Sequence, residues 1–148
     1  MVSRSNSTTA TRTLVQTAAL GVGATFILVG LLGFIPGITT DYGSMTFAGH
    51  HSEAKLLGIF QVSILHNIVH LLFGAAGIAM ARTISGARSY LIGGGAIYLV
   101  LWLYGLVVGQ NSAANFVPVN SADDWLHLLL GLGMIALGFL TTRRRAVA

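Results

Sequence analysis

Two short segments hold the densest set of reactive groups in an otherwise apolar chain. "HNIVHLLFG" at 66–74 carries two imidazoles and a carboxamide, and "DDWLHLLLG" at 123–131 carries two carboxylates and a third imidazole. His66 and His70 have the i, i+4 spacing of a two-ligand helical metal site, and His127 with Asp124 would complete it. A haem is a second option, with His70 and His127 as axial ligands and Gly74 and Gly131 making room for the macrocycle. In a third, the imidazoles relay protons or bind a small ligand such as a quinone or a lipid headgroup. Tyr98, Trp102 and Tyr104 would then supply aromatic walls. A purely structural role competes with all three. Neutral histidine donates and accepts, and Asn67 offers two donors and an acceptor, so His66, Asn67, His70 and His127 could zip helices 2 and 4 together. Interhelical hydrogen bonds in membranes average only about 0.6 kcal/mol, so such a zip would specify register more than add stability.

Other chemistry is thinly represented. The chain has no cysteine, which excludes disulfides, thiolate metal sites and thiol nucleophiles. No nucleophile–base–orienter set or cofactor loop appears, so neither an enzymatic activity nor a resident cofactor is expected. Gly93-Gly94-Gly95 lacks the Lys-Ser/Thr of a phosphate loop and lies in an apolar segment. "GHHSEAK" at 49–55 resembles a ligand cluster, but Ser52 and Glu53 there read as an ordinary helix start.

The reactive residues sit in a membrane composition. Of 148 residues, 54% are hydrophobic and 8% charged, against about 25% charged in soluble domains. Four apolar runs approach the roughly 20 residues needed to cross a bilayer core. They predict helices at about 14–35, 54–81, 90–109 and 122–141, in one four-pass domain over 14–140 with polar tails at 1–13 and 142–148. Ser121 is the expected N-cap of the fourth helix. The first run is longer than the about 7–15 residues of a signal-peptide core and no A-x-A site follows it, so it is expected to remain in the protein.

Charge orients this set. Arg4 and Arg12 precede helix 1, Arg82 and Arg88 link helices 2 and 3, and Arg143, Arg144 and Arg145 follow helix 4; Asp41, Glu53, Asp123 and Asp124 fall on the other side with Lys55. The positive-inside rule then predicts a cytoplasmic-membrane protein with both termini inside. The arginines are expected to meet anionic lipid headgroups rather than nucleic acid. A homo-oligomer or a membrane-protein partner also suits such a chain.

Aligning His127 with His70 matches His-Leu-Leu-x-Gly in both segments and sets Asp124 opposite Asn67. The chain therefore reads as two related helical hairpins, 1–2 and 3–4, about a pseudo-twofold axis along the membrane normal. At 3.6 residues per turn, Ser63, His66, Asn67, His70, Gly74, Gly77 and Ala81 share one stripe of helix 2. His127, Gly131 and Gly138 share one on helix 4. Gly94, Tyr98, Trp102, Gly105 and Gly109 line up on helix 3, with Gly105-x-x-x-Gly109 a small-residue contact motif, and helix 1 contributes Gly21, Thr25 and Gly30. Hydrocarbon solvates neither imidazole nor carboxamide, so these stripes should face each other in an all-α, four-helix transmembrane bundle.

At these residues the chain resembles a bacterial four-helix integral membrane family known only as a domain of unknown function, of the 4383 type. The resemblance runs through "LLGFIPG" at 31–37, "GIFQV" at 58–62, "LHNIVHLLFG" at 65–74, "YLVLWLYGLV" at 98–107 and "NSADDWLHLLLG" at 120–131. It implies a four-pass membrane protein of unassigned activity, and it carries over no catalytic or ligand residue. The functional expectation is thus a small structural or partner-binding membrane subunit, with a histidine-centred metal, haem, quinone or proton-relay site as the alternative.

Overall fold

The computed structural model describes residues 12–143. Four helices account for most of them: α1 (Leu14–Leu32), α2 (Ile64–Met80), α3 (Ile84–Val107) and α4 (Ser121–Arg143). α1, α3 and α4 are long and apolar enough to cross a membrane, whereas α2 has 17 residues. Seventeen residues span roughly 26 Å at 1.5 Å each, short of a hydrocarbon core of about 30 Å. The fold is an all-α bundle built of two antiparallel hairpins, α1–α2 and α3–α4, which pack closely within themselves and more sparsely on each other. Their shared core is Phe26, Tyr90, Leu91, Tyr98 and Met134, with Val15, Ala19 and Ala87 toward the arginine end.

Each hairpin closes on a pair of glycines. A Cβ placed on Gly23 would lie 2.9 Å from the Gly74 carbonyl oxygen, and one on Gly74 would lie 2.6 Å from that of Gly23. In the other hairpin the corresponding distances are 2.7 Å from Gly95 to Gly131 O and 3.0 Å from Gly131 to Gly95 O. No side chain fits either crossing, and the backbones meet there as small residues permit. The register that sets Gly131 on Gly74 also sets Asp124 on Asn67. Their side chains occupy the space beside Gly105 and Gly33 respectively, two glycines that correspond when Gly95 is set on Gly23. Helix 1 presents Gly23 and Gly30 to its neighbour, while Gly21 and Thr25 are exposed. Of the Gly105-x-x-x-Gly109 pair only Gly105 makes a contact, since nothing lies within 4 Å of a Cβ on Gly109.

The connections differ most from expectation. Helix 2 does not begin near 54, nor at Ser52. Ser52 is fully buried, with its hydroxyl on the Val62 carbonyl at 2.5 Å. Positive φ at Leu57 (55°) and Gly58 (72°) turns the chain back on itself, and no helix passes through two such residues. The segment forms instead two strands of a small antiparallel sheet, β1 (Thr39–Thr40), β2 (Lys55–Leu56) and β3 (Phe60–Gln61), in the order β1-β2-β3. Ala54, Leu56 and Val62 anchor it on Val29 and Leu32 of α1. Ser63 then starts α2 as its N-cap, accepting from His66 N at 3.1 Å.

Helix 3 begins at Ile84 rather than near 90, because Thr83 caps it through Gly86 N at 3.0 Å. Arg88 therefore lies within α3, its guanidinium carbon 5.5 Å from the centre of the Phe139 ring. Helix 4 is capped by Asn120, whose Oδ1 accepts from Ala122 N (2.9 Å) and Asp123 N (3.0 Å), and not by Ser121. At the arginine end, Gln16 Nε2 donates to the carbonyls of Ala81 and Arg82, both at 3.1 Å, and so joins the start of α1 to the end of α2. Arg4, Arg144 and Arg145 lie outside the described residues.

Candidate functional site

The sheet, the 108–120 loop and the helix ends beside them form a cap, and the histidines lie just beneath it. His66 and Asn67 are in the first turn of α2, His70 one turn deeper, and His127 in the second turn of α4. His66, Asn67 and His127 are buried and His70 is half-buried. The rings of His66 and His70 stand 4.7 Å apart. A chain of rings continues from them through Phe26 of α1 (5.6 Å from His70) and Tyr98 of α3 (5.3 Å from Phe26, interplanar angle 20°) to His127 (5.2 Å from Tyr98). Phe26 lies three residues after Gly23 and Tyr98 three after Gly95, while His70 and His127 each lie four before the glycines that face these two, Gly74 and Gly131. The stacked pair Phe26–Tyr98 thus stands between His70 and His127.

Two hydrogen bonds tie the hairpins together under the cap. His66 Nδ1 donates to the carbonyl of Pro118, in the segment leading into α4, at 3.1 Å. Asp123 Oδ2 of α4 accepts from the backbone N–H of Gln61, in the segment leading into α2, at 3.0 Å, and from Asn120 N at 3.0 Å. The register that puts His127 on His70 puts Asp123 on His66 and Pro118 on Gln61, so the two bonds are counterparts with donor and acceptor exchanged. These two bonds run from helix to opposing loop, and loop meets loop where Asn120 Nδ2 donates to the Ile59 carbonyl at 2.8 Å and Gly49 N to the Phe116 carbonyl at 2.6 Å. No imidazole–carboxamide bond joins α2 to α4 among the described residues, and the expected zip between these helices is not formed. The helices hardly touch. Asn67 instead packs on Gly33, with Nδ2 directed to Met45 Sδ at 4.0 Å.

Where α2 and α4 stand apart, hollows open. A chamber of about 320 Å³ lies between α2 and α3 beneath the 116–119 segment, lined by His66, His70, Tyr98, Tyr104, Phe116 and His127 among others. A smaller one of about 130 Å³ lies under the sheet and adds Asn67 and Asp123 to the same three histidines. A groove of about 460 Å³ runs between α1 and α4 on the opposite flank and reaches His70. All three share His70. The first chamber's rim carries the exposed Val69, Val100 and Leu101, so it opens sideways through the apolar flank of the bundle. His127 lines it, and Nδ1 of that ring is buried with no hydrogen-bond partner.

A family model described as "Domain of unknown function (DUF4383)" matches residues 16–140, which takes in all four helices and the cap. The chain belongs to that family. No curated protein and no solved structure matches it. Family and helices together make this DUF4383 chain a membrane protein of unassigned activity.

Not all candidate residues of this DUF4383 chain converge. His66, His70 and His127 do, with Tyr98 and Tyr104, and the Tyr104 hydroxyl donates to the Ala114 carbonyl. Asp124 turns the other way, onto Gly105 of α3, and leaves Oδ1 buried without a partner. Its neighbour Asp123 faces the histidines in its place. Trp102 lines none of the three hollows, and its indole N–H is buried and unpaired. Among the described residues no group of three or more histidine or acidic side chains is arranged to hold a metal ion, and this covers His66, His70 and His127 as well as His50 and His51. The space beside Gly74 and Gly131 is filled by the Gly23 and Gly95 backbones, so neither glycine leaves room for a haem. Asp123, Pro118 and Phe26 belong to the site although sequence reasoning did not select them. For Asp123 the signal was present, since the repeat already paired it with His66.

Proposed function

We propose that this chain is a four-pass protein of the cytoplasmic membrane, both ends in the cytoplasm, that takes a small lipid-soluble ligand from the bilayer into the histidine chamber. The chamber carries this reading: a hollow of about 320 Å³ lined by three imidazoles, within the range of small-molecule sites, and opening sideways through an apolar flank. The orientation rests on charge. Arg12, Arg82 and Arg88 lie toward one end of the bundle, where anionic headgroups would meet them, and Asp41, Glu53, Asp123 and Asp124 lie toward the capped end. Arginines inside is the arrangement that insertion favours. A structural or partner-binding subunit is the other role such a bundle suits. The exposed leucines and valines that would form its contact surface are equally the surface that lipid covers, so the chamber favours the ligand.

The test is to purify the chain in mild detergent, extract it with organic solvent and identify the released molecules by mass spectrometry. Val100→Trp, at a 64% exposed rim position, serves as the blocked comparison. One class of small molecule should accompany the wild type and fall at least fivefold in the variant. Identical lipid profiles would contradict the proposal.

A further inference from the structure

The chemistry of the chamber's ligand follows from which atoms the fold has already used. Nδ1 of His66 faces the Pro118 carbonyl at 3.1 Å, and Nδ1 of His70 faces the His66 carbonyl at 3.0 Å. A carbonyl oxygen only accepts, so each Nδ1 carries the proton and each neutral ring keeps Nε2 as a lone pair. His70 Nε2 has no partner among the described residues, and His70 borders all three hollows. The Tyr104 hydroxyl is committed to Ala114. At His70 the chamber lacks a hydrogen-bond donor, while the Tyr98 hydroxyl on the same wall has no partner among the described residues and can donate.

Charge and shape narrow the ligand further. No lysine, arginine, aspartate or glutamate lines this chamber among the described residues, so a phosphate or carboxylate head finds no counter-charge and a cation finds no carboxylate. The walls are flat, made of Tyr98, the histidine rings and Phe116, and flat walls accept a ring by offset or edge contact. A ketone or quinone carbonyl would set acceptor against acceptor at His70 Nε2. A hydroxyl donates there and can also accept from the Tyr98 hydroxyl, whereas a carbonyl can only accept.

We infer that the chamber binds a membrane-soluble molecule with a hydroxylated aromatic ring, a quinol or long-chain phenol, whose hydroxyl donates to His70 Nε2 while its tail leaves between α2 and α3 past Val69 and Val100. This rests on the ligand-binding reading above and fixes the ligand's class. The site tells the reduced ring from the oxidised one by the same rule that lets a buried hydrogen-bonding site reject an analogue lacking the matching group.

The test is equilibrium binding to the full chain in detergent, under anaerobic conditions, with three probes of equal tail length: decylubiquinol, decylubiquinone and decanol. The quinol should bind the wild type at least tenfold more tightly than the quinone and than decanol. His70→Phe, which keeps a ring beside Phe26 but removes the lone pair, should erase the quinol–quinone difference. Val100→Trp should weaken quinol binding at least fivefold. A wild-type quinone affinity equal to or above that of the quinol overturns the inference, and this comparison needs no variant to fold. Decanol binding as tightly as the quinol, and weakened by Val100→Trp, overturns the ring class while leaving lateral ligand binding intact. Failure of all three probes to bind removes both readings.

Discussion

Asp123→Ala tests the crossed hydrogen bonds that hold the histidines in place. Oδ2 of this 3% exposed residue accepts from Gln61 N and Asn120 N, both at 3.0 Å. Truncation leaves two amide hydrogens beneath the cap with no acceptor, and each orphan costs about 1–3 kcal/mol. The expected loss is therefore about 2–6 kcal/mol, a large share of a typical total of about 5–15. Asp123→Asn keeps one acceptor oxygen at the same place, so it should lose only about 1–2 kcal/mol. Reversible unfolding in mixed micelles, followed by circular dichroism, measures both. A cycle with His66→Phe adds a further reading. The two bonds cross the same gap between hairpins, so the double variant should depart from additivity by at least about 0.5 kcal/mol. An Asp123→Ala protein within about 0.5 kcal/mol of wild type, the range of ordinary surface substitutions, would refute the reasoning.

Two further predictions address the hairpins and the orientation. Gly74→Ala and Gly131→Ala each push a methyl into a facing backbone or side chain, and should cost about 1–3 kcal/mol as overpacked sites do. Gly93→Ala and Gly133→Ala meet nothing within 4 Å and should gain up to about 1 kcal/mol from helix propensity; equal melting shifts in the four proteins would discount the glycine crossings. Because the chain has no cysteine, single cysteines label cleanly. A membrane-impermeant maleimide added to intact cells should reach one at the exposed Phe47 and not one at the exposed Thr83, and the reverse pattern would invert the proposed topology.

How much of this could be read from the chain itself depended on periodicity. Apolar runs and charge placement sufficed for four helices, and the polar stripe 63–81 of α2 turns inward much as drawn, because hydrocarbon leaves imidazole and carboxamide nowhere else to go. The cap was illegible. Strands of two residues have no period to detect, and the turn at Leu57-Gly58 depends on a leucine in the left-handed region, which no composition rule anticipates. Missing the cap hid the Pro118 carbonyl and the Gln61 amide, and with them the true partners of His66 and Asp123. Asp124 enters the cluster as the counterpart of Asn67 in the repeat and as a ligand that could complete a site with His127. A one-residue step on a helix is about 100°, and that step carries Asp124 to Gly105 and Asp123 to the histidines. The repeat alignment pairs Asp123 with His66 as well as Asp124 with Asn67, and taking that first pairing as seriously as the second would have located the crossed bonds.

Ligand binding in the chamber requires the three imidazoles to turn toward protein around one shared hollow. An experimental structure in a lipid nanodisc, at a resolution that places side chains, measures this most directly. It should show His66 Nδ1 on the Pro118 carbonyl, the His70 and His127 rings against Phe26 and Tyr98, and ring-shaped density in the chamber between α2 and α3. Side chains at 66, 70 and 127 directed into acyl chains on separate faces of the bundle would contradict it.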